Sequence, residues 1–225
     1  MKFKGYVSRW EFILTKCRGK KVLHLGCIGE TERSTSDKVK SLCEGKVLHA
    51  HLRKIVSDVV GVDYNEPTVR ELNKLGFNEI LCGNVEGLDE IDLQRTFDVI
   101  LCGDLIEHLS ESGKMFKGLR PRINENGELL IMRPNSFGLL HFFRYAFGRF
   151  REGNDHVLSF SIFTLQNLLR RYDLYICETY ACYNRPAQDW KDRLRYTVGI
   201  PFFKLLPKFG GTLLVVARSR NDEPL

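Results

Sequence analysis

The sequence predicts an α/β domain built on a doubly wound sheet, and two features carry that expectation. Seven short apolar segments recur along the chain: KVLHL, DVVGVD, EILCGN, FDVILCGD, GELLIMRP, YICETYACY and TLLVVARS. Most are near-continuous runs of Val, Ile and Leu, the pattern of parallel strands covered by helices on both faces. The stretches between them leave room for helical crossovers, which parallel strands require.

The elements follow in order. KVLHL climbs into a turn carrying Gly26 and Gly29. Helices are expected at about Lys46 to Ser57, Glu66 to Leu75, Gly113 to Ile123 and Phe163 to Tyr172. In the last, Ser161 or Thr164 starts the helix, and Phe163, Leu165, Leu168 and Leu169 form an apolar stripe. NENGELL reads as a turn that launches a strand, with Gly127 supplying a permissive backbone. Three stretches fit the alternation poorly: polar Glu30 to Lys46, aromatic and basic Asn135 to Asn154, and Asn184 to Gly211. The organisation expected is one domain over residues 1–225, with an N-terminal helical extension over 1–19 and inserts at 135–160 and 184–211.

Composition narrows the class. With 225 residues and 43% hydrophobic content, the chain can bury a sizeable core. Cys17, Cys27, Cys43, Cys82, Cys102, Cys177 and Cys182 are odd in number and form no CxxC pair. They read as reduced thiols in a cytoplasmic protein without a structural metal. The N-terminus lacks a signal-peptide pattern, and Phe137 to Phe150 is too short and too basic to cross a bilayer. The net charge of +6 comes with a basic surplus after Ser136, interleaved with aromatic residues. That surplus suits a solvated face or phosphates of lipid or nucleic acid.

In an open parallel sheet, ligands gather where strands end and the winding reverses. The residues at those positions are Gly26, Cys27, Ile28 and Gly29 after the first strand, then Asp63 after the second. Gly83, Asn84, Val85 and Glu86 follow the third, and Gly103 and Asp104 the fourth. Glycines let backbone amides approach a ligand. An acid at the end of the second strand can accept both hydroxyls of a ribose, and a polar residue after the third can meet an adenine edge.

These blocks, in this order, resemble the class I S-adenosylmethionine-dependent methyltransferases, in particular the small-molecule and lipid-quinone group. The likeness runs through VLHLGCIGE, VVGVDYNEPTVREL, EILCGNVEGLD, FDVILCGDLIEHL and NENGELLIMRPN, returns in NDHVLSFSIFTLQNLLRRYDL and ends in GTLLVVARS. It implies a Rossmann-like, mostly parallel seven-stranded sheet with an antiparallel terminal strand, and S-adenosyl-L-methionine as cofactor. By that resemblance Gly26, Cys27 and Gly29 line the methionine part, Asp63 holds the ribose, and Tyr64 packs near the adenine. Asn84, Val85 and Glu86 meet the base, and Asp104 and Leu105 lie beside the amino acid moiety and the methyl group.

Three departures stand out. His24 replaces the acid usual before the first glycine; it contacts either backbone or the cofactor's ammonium. Asp63 lies far beyond the glycine turn because Glu30 to Lys46 intervenes, as a lid or as an exposed loop with a short helix. Asn84 replaces an aspartate. A nicotinamide cofactor fits less well, because its pyrophosphate needs a glycine turn opening directly into a helix. Here the next convincing helix is displaced, and no third glycine sits at the fingerprint spacing.

Methyl transfer needs chiefly positioning and water exclusion, with a base only if the acceptor must lose a proton. Glu107 and His108 in GDLIEHL are the catalytic candidates, against a reading in which they open a helix; Asp155 and His156 form a second pair. Phe137, Leu140, Phe143 and Phe147 with Arg144, Arg149 and Arg151 build either core or a lid over an apolar, lipid-linked or phosphate-bearing acceptor. Trp190, Phe202, Phe203 and Leu205 repeat that chemistry. The expected activity is transfer to a small-molecule or lipid- or glycan-linked acceptor, at oxygen, with peripheral membrane contact as the partner class. The alternatives are a non-catalytic binding protein and a tRNA or rRNA methyltransferase, although no nucleic-acid motif is present.

Overall fold

The computed structural model describes residues 2–29, 33–93, 95–149, 153, 155–183 and 199–219. The chain runs β1 (Gly5–Ser8), α1 (Arg9–Cys17), β2 (Lys21–Leu25), α2 (Thr35–Cys43), α3 (Leu48–Leu52), β3 (Asp58–Asp63), α4 (Glu66–Lys74) and β4 (Ile80–Cys82). It continues through β5 (Phe97–Gly103), α5 (Ser112–Leu119), β6 (Ile123–Pro134), α6 (Leu139–Ala146), α7 (Ile162–Arg170), β7 (Leu174–Tyr183) and β8 (Thr212–Ser219).

The strands form one sheet in the order β1-β7-β8-β6-β5-β2-β3-β4. All neighbours are parallel except β8, which is antiparallel to both β6 and β7. The winding reverses between β2 and β5, which pair from Val22↔Val99 to Leu25↔Cys102. A crevice therefore opens at their carboxyl ends.

Side chains on successive strand residues enter opposite cores, which explains the unbroken apolar runs. Leu23, Leu25, Ile100, Cys102, Leu129 and Ile131 pack with Met115, Phe116 and Leu119 of α5 and Leu165 and Leu169 of α7. Val22, Val99, Leu101, Leu130 and Met132 face the other way, onto Ile13 and Cys17 of α1 and Leu52 of α3. Each fully buried Leu, Ile or Val contributes about 1.5–3 kcal/mol of transfer free energy.

Several expectations change. The sheet has eight strands, because part of the extension expected to be helical is β1, which pairs with β7 from Gly5↔Tyr180 to Ser8↔Tyr183. A four-residue edge strand whose partner lies so far along the chain leaves no local signal. The helix expected from Lys46 to Ser57 shrinks to α3. The polar segment before it forms α2, with the Ser34 hydroxyl accepting the Asp37 amide at 3.2 Å and Leu42 packing on Val69 and Leu72 of α4. The glycine turn is thus followed closely by a helix after all. NENGELL is a bulge inside β6: pairing jumps from Phe97↔Ile123 to Val99↔Glu128. α7 starts as expected, with Ser161 and Thr164 forming a reciprocal cap. Residues 184–198 of the last insert lie outside the described residues.

None of the seven cysteines is in a disulfide, and Cys43, Cys82 and Cys177 are exposed. Cys27 explains a glycine. A Cβ on Gly61 of β3 would lie 2.6 Å from the Cys27 sulfur and 3.0 Å from the His49 ring. Overpacking at such a point costs about 1–3 kcal/mol. We expect Gly61→Ala to lower unfolding free energy by about that amount in urea titration. Pairing it with Cys27→Ala should recover part of the loss; full additivity would refute the packing account.

Candidate active site

Four strand ends meet around the crevice. Gly26 has φ +65°, and a Cβ there would come within 3.3 Å of Leu105, beyond the end of β5. Its amide donates to the Val62 carbonyl at 2.9 Å. Gly29, at φ +72°, has open space where a Cβ would stand, so conformation rather than crowding selects glycine there. Asp63, 6% exposed, accepts the Ile28 amide on Oδ2 and the Asn65 amide on Oδ1, both at 3.0 Å. Its carbonyl accepts the Gly83 amide at 3.0 Å, which draws in the end of β4.

Burial raises the Asp63 carboxyl above the ordinary aspartate range, while the two amides and the charge of buried Lys38 on α2 pull it back. Each carboxylate oxygen accepts one protein amide and keeps capacity for a second donor. Tyr64 beside it is 63% exposed. Asn84 accepts the Glu86 amide at 3.0 Å, and Glu86 in turn accepts the Glu111 amide. Val85 and Cys27 bury their side chains in the core. Those two residues therefore have backbone to offer a ligand. Burial also holds the Cys27 thiol protonated, pushing it well above its ordinary value.

His24 packs on a residue the sequence reading left unnoticed. Its ring stacks on His49 of α3 with centroids 5.4 Å apart, and the two Nδ1 atoms lie 3.3 Å apart. One proton serves that contact, so the pair is held together with one Nδ1 donating and the other accepting. Burial first, then His49 and Arg9, push His24 well below the ordinary histidine value. Arg9, at the start of α1, reaches across Gly103 and pairs with Asp104. Asp104 itself carries φ +46°, uncommon outside glycine. Nothing local in SRWEF marks Arg9; its partner is fixed by the packing of α1 against the sheet.

Beyond the end of β5, the two carboxylate–histidine pairs expected from the sequence turn out to be one group. Ile106 to His108 form a short 3₁₀ turn, and Glu107 does not cap it. The Glu107 carbonyl accepts the amides of Val157 at 2.8 Å and Leu158 at 3.1 Å, tying the two segments together. His108 Nδ1 lies 3.2 Å from both the carbonyl and the carboxylate of Asp155, and its ring meets His156 edge-on at 4.8 Å. Glu107 is 2% exposed, and neither of its carboxyl oxygens has a hydrogen-bond partner. Desolvation raises this carboxyl to about 7, helped by Asp104 and opposed by Arg133 and Arg9. One donor atom from each of Glu107, His108 and His156 lies within 4.8 Å of the others, a set chemically able to share a divalent cation. The sequence reading expected no metal.

Glu107 and His156 line a cavity of about 520 Å³ together with Arg133, His141, Arg144 and Arg149. α6 covers it, with Phe142, Phe143 and Phe147 exposed on the helix exterior. This helix is therefore a cover over the cavity, and its phenylalanines are not core.

A family profile described as a methyltransferase domain matches residues 12–179. The chain belongs to this methyltransferase domain family. Its fold is shared by an S-adenosylmethionine-dependent methyltransferase from Clostridium acetobutylicum, at 14% identity and TM-score 0.54, over 93% of this chain and 90% of that one. Magnesium protoporphyrin IX methyltransferase from Synechocystis, solved with bound SAH, aligns at 15% identity and TM-score 0.54, over 92% and 78%. The small RNA methyltransferase HEN1 aligns at 13% and TM-score 0.57, over 96% of this chain and 25% of that longer one. No curated protein matches the chain.

The crevice of this methyltransferase fits the sulfonium nucleoside its family implies. The backbone at Gly29 has open space beside it, Asp63 retains acceptor capacity, and Tyr64 stands open beside that carboxyl. The buried His24 gives a stability signature. An unfolded histidine takes up a proton near pH 6.5, whereas folded His24 resists it, so stability present above that pH is lost as pH falls through it. We expect His24→Gln to flatten the decline in urea midpoint between about pH 6.5 and 5. A variant with the wild-type slope would exclude His24 as the cause.

Proposed function

We propose that this methyltransferase moves the methyl group of S-adenosylmethionine to oxygen of a small-molecule or lipid- or glycan-linked acceptor. The observation that supports it best is the convergence of Gly26, Asp63, Gly83 and Leu105 on one crevice, next to a separate cavity walled by Glu107. The donor supplies a methyl group already activated by its sulfonium. The protein's part is to orient, exclude water and take a proton.

In this reading Asp63 accepts the ribose hydroxyls, Tyr64 packs on the adenine, and Asn84 with the backbone of Val85 and Glu86 meets its edge. Gly26, Cys27 and Gly29 present backbone to the methionine portion, with His24 beneath the turn. Asp104 and Leu105 flank the methyl group, and Arg9 fixes the Asp104 carboxylate. Glu107 is the base: its carboxyl is buried, lacks a hydrogen-bond partner and belongs to a residue lining the acceptor cavity, so a hydroxyl seated against it has an acceptor for its proton. His108, held by Asp155, packs edge-on against His156 of that lining.

The donor half is tested by calorimetry: Asp63→Ala should weaken S-adenosylmethionine binding by about tenfold or more, as the loss of charge-assisted hydrogen bonds predicts. Unchanged affinity would remove Asp63 from the ribose. The acceptor half is tested by incubating the enzyme with methyl-labelled donor and a cell extract. Label should enter small molecules or lipids and not RNA. Glu107→Gln should slow that labelling by about a hundredfold at unchanged donor affinity. Label recovered in RNA would overturn the acceptor class.

A further inference from the structure

We infer that the cavity beneath α6 binds a phosphate-bearing acceptor, with Arg144 and Arg149 as its anion-binding end. This rests on the methyl-transfer reading for its catalytic meaning, but the binding itself does not depend on it.

The cavity brings unlike charges together. Glu107 and His156 line it with the buried Arg133, whose charge acts on Glu107. Arg144 and Arg149 line it from α6 and the turn after it, with His141 one helical turn before Arg144. Neither Arg144 nor Arg149 forms an ion pair among the described residues. Other exposed cations such as Arg70, Lys74 and Arg95 do pair, with Glu66, Glu71 and Asp58, while Lys54 and Lys117 do not among the described residues; what sets Arg144 and Arg149 apart is the cavity they both line.

Local structure explains why two guanidinium groups share one mouth. α6 ends in a left-handed glycine, Gly148 at φ +69°. The Gly148 amide donates to the Tyr145 carbonyl at 3.0 Å, and the Arg149 amide to the Arg144 carbonyl at 2.7 Å. This turn folds Arg149 back along the last turn of the helix, beside Arg144. A planar, multiply donating guanidinium suits phosphate oxygens, and two of them suit a phosphate or diphosphate. The acceptor hydroxyl would then lie at the Glu107 end and its phosphate at the helix end.

The phosphate can belong to a soluble metabolite or to a lipid headgroup. The outer face of α6 favours the second source without requiring it. Phe142, Phe143 and Phe147 are exposed there, with Phe147 at 78%, and apolar residues beside arginines suit an anionic bilayer surface.

The test compares the wild-type chain, the double variant Arg144→Gln/Arg149→Gln, and a charge-matched control, Lys54→Gln/Lys117→Gln. Inorganic pyrophosphate and glycerol phosphate are titrated calorimetrically. Sedimentation with phosphatidylcholine vesicles, with and without phosphatidic acid, forms the lipid arm. We expect binding in at least one arm, weakened about tenfold or more in the double variant and unchanged in the control. S-adenosylmethionine affinity should be the same in all three proteins. Binding confined to phosphatidic acid vesicles assigns a lipid source, and binding of the soluble phosphates assigns a metabolite. If neither arm shows binding, or the double variant matches wild type, the anion site is refuted. Intact donor binding in that case would leave the methyl-transfer reading standing.

Discussion

The buried carboxylate of Asp63 is the constraint on which the crevice depends. It accepts one amide from the turn after β2 and another from the start of α4, and its own carbonyl accepts the first amide beyond β4. Burying a carboxylate is costly unless hydrogen bonds compensate it. Here the compensation comes from backbone amides of the turns that follow β2 and β3. In the proposed function the residue that holds the ribose is therefore also the one that shapes the glycine turn. On that proposal, function and local stability are joined at one side chain.

Much of this was legible because strand ends are short-range features. An apolar run followed by glycine or an acid locates a carboxyl end, and parallel topology brings such ends together. Gly26, Asp63, Gly83 and Asp104 follow from that rule alone. What escaped notice depends on contacts between distant segments. Arg9 meets Asp104 because α1 packs across β2, β5 and β6. His49 meets His24 because α3 lies against β2. α2 corresponds to the short helix that was one of two alternatives for the polar segment: one buried leucine and a serine cap suffice for a helix packed on another helix. Glu107 and His108 were visible as a motif. Their union with Asp155 and His156 rests on two backbone amides that leave no sequence signature.

The two halves of the site differ in how they treat charge. On the proposed donor side, Asp63, Glu86 and Asp104 each accept protein amides or pair with Arg9. On the proposed acceptor side, the Glu107 oxygens lack hydrogen-bond partners and Arg144 and Arg149 lack ion pairs among the described residues. A preorganised donor site loses little to rearrangement when its ligand arrives. An acceptor site with unsatisfied groups gains most from the one ligand that satisfies all of them, which is how buried polar groups enforce selectivity.

The edge pairing of β1 with β7 sets an order of assembly. A ribosome releases β2 to β6 long before β7, so the nascent chain can build the central layer while its first strand has no neighbour. Such distant pairings are late events, since closing a long loop costs entropy before any contact offsets it. Arg9 begins α1, whose Ile13 and Cys17 pack on β2, β5 and β6, so its route to Asp104 does not wait for β7. The late edge pairing therefore locks a contact that the central layer can already make.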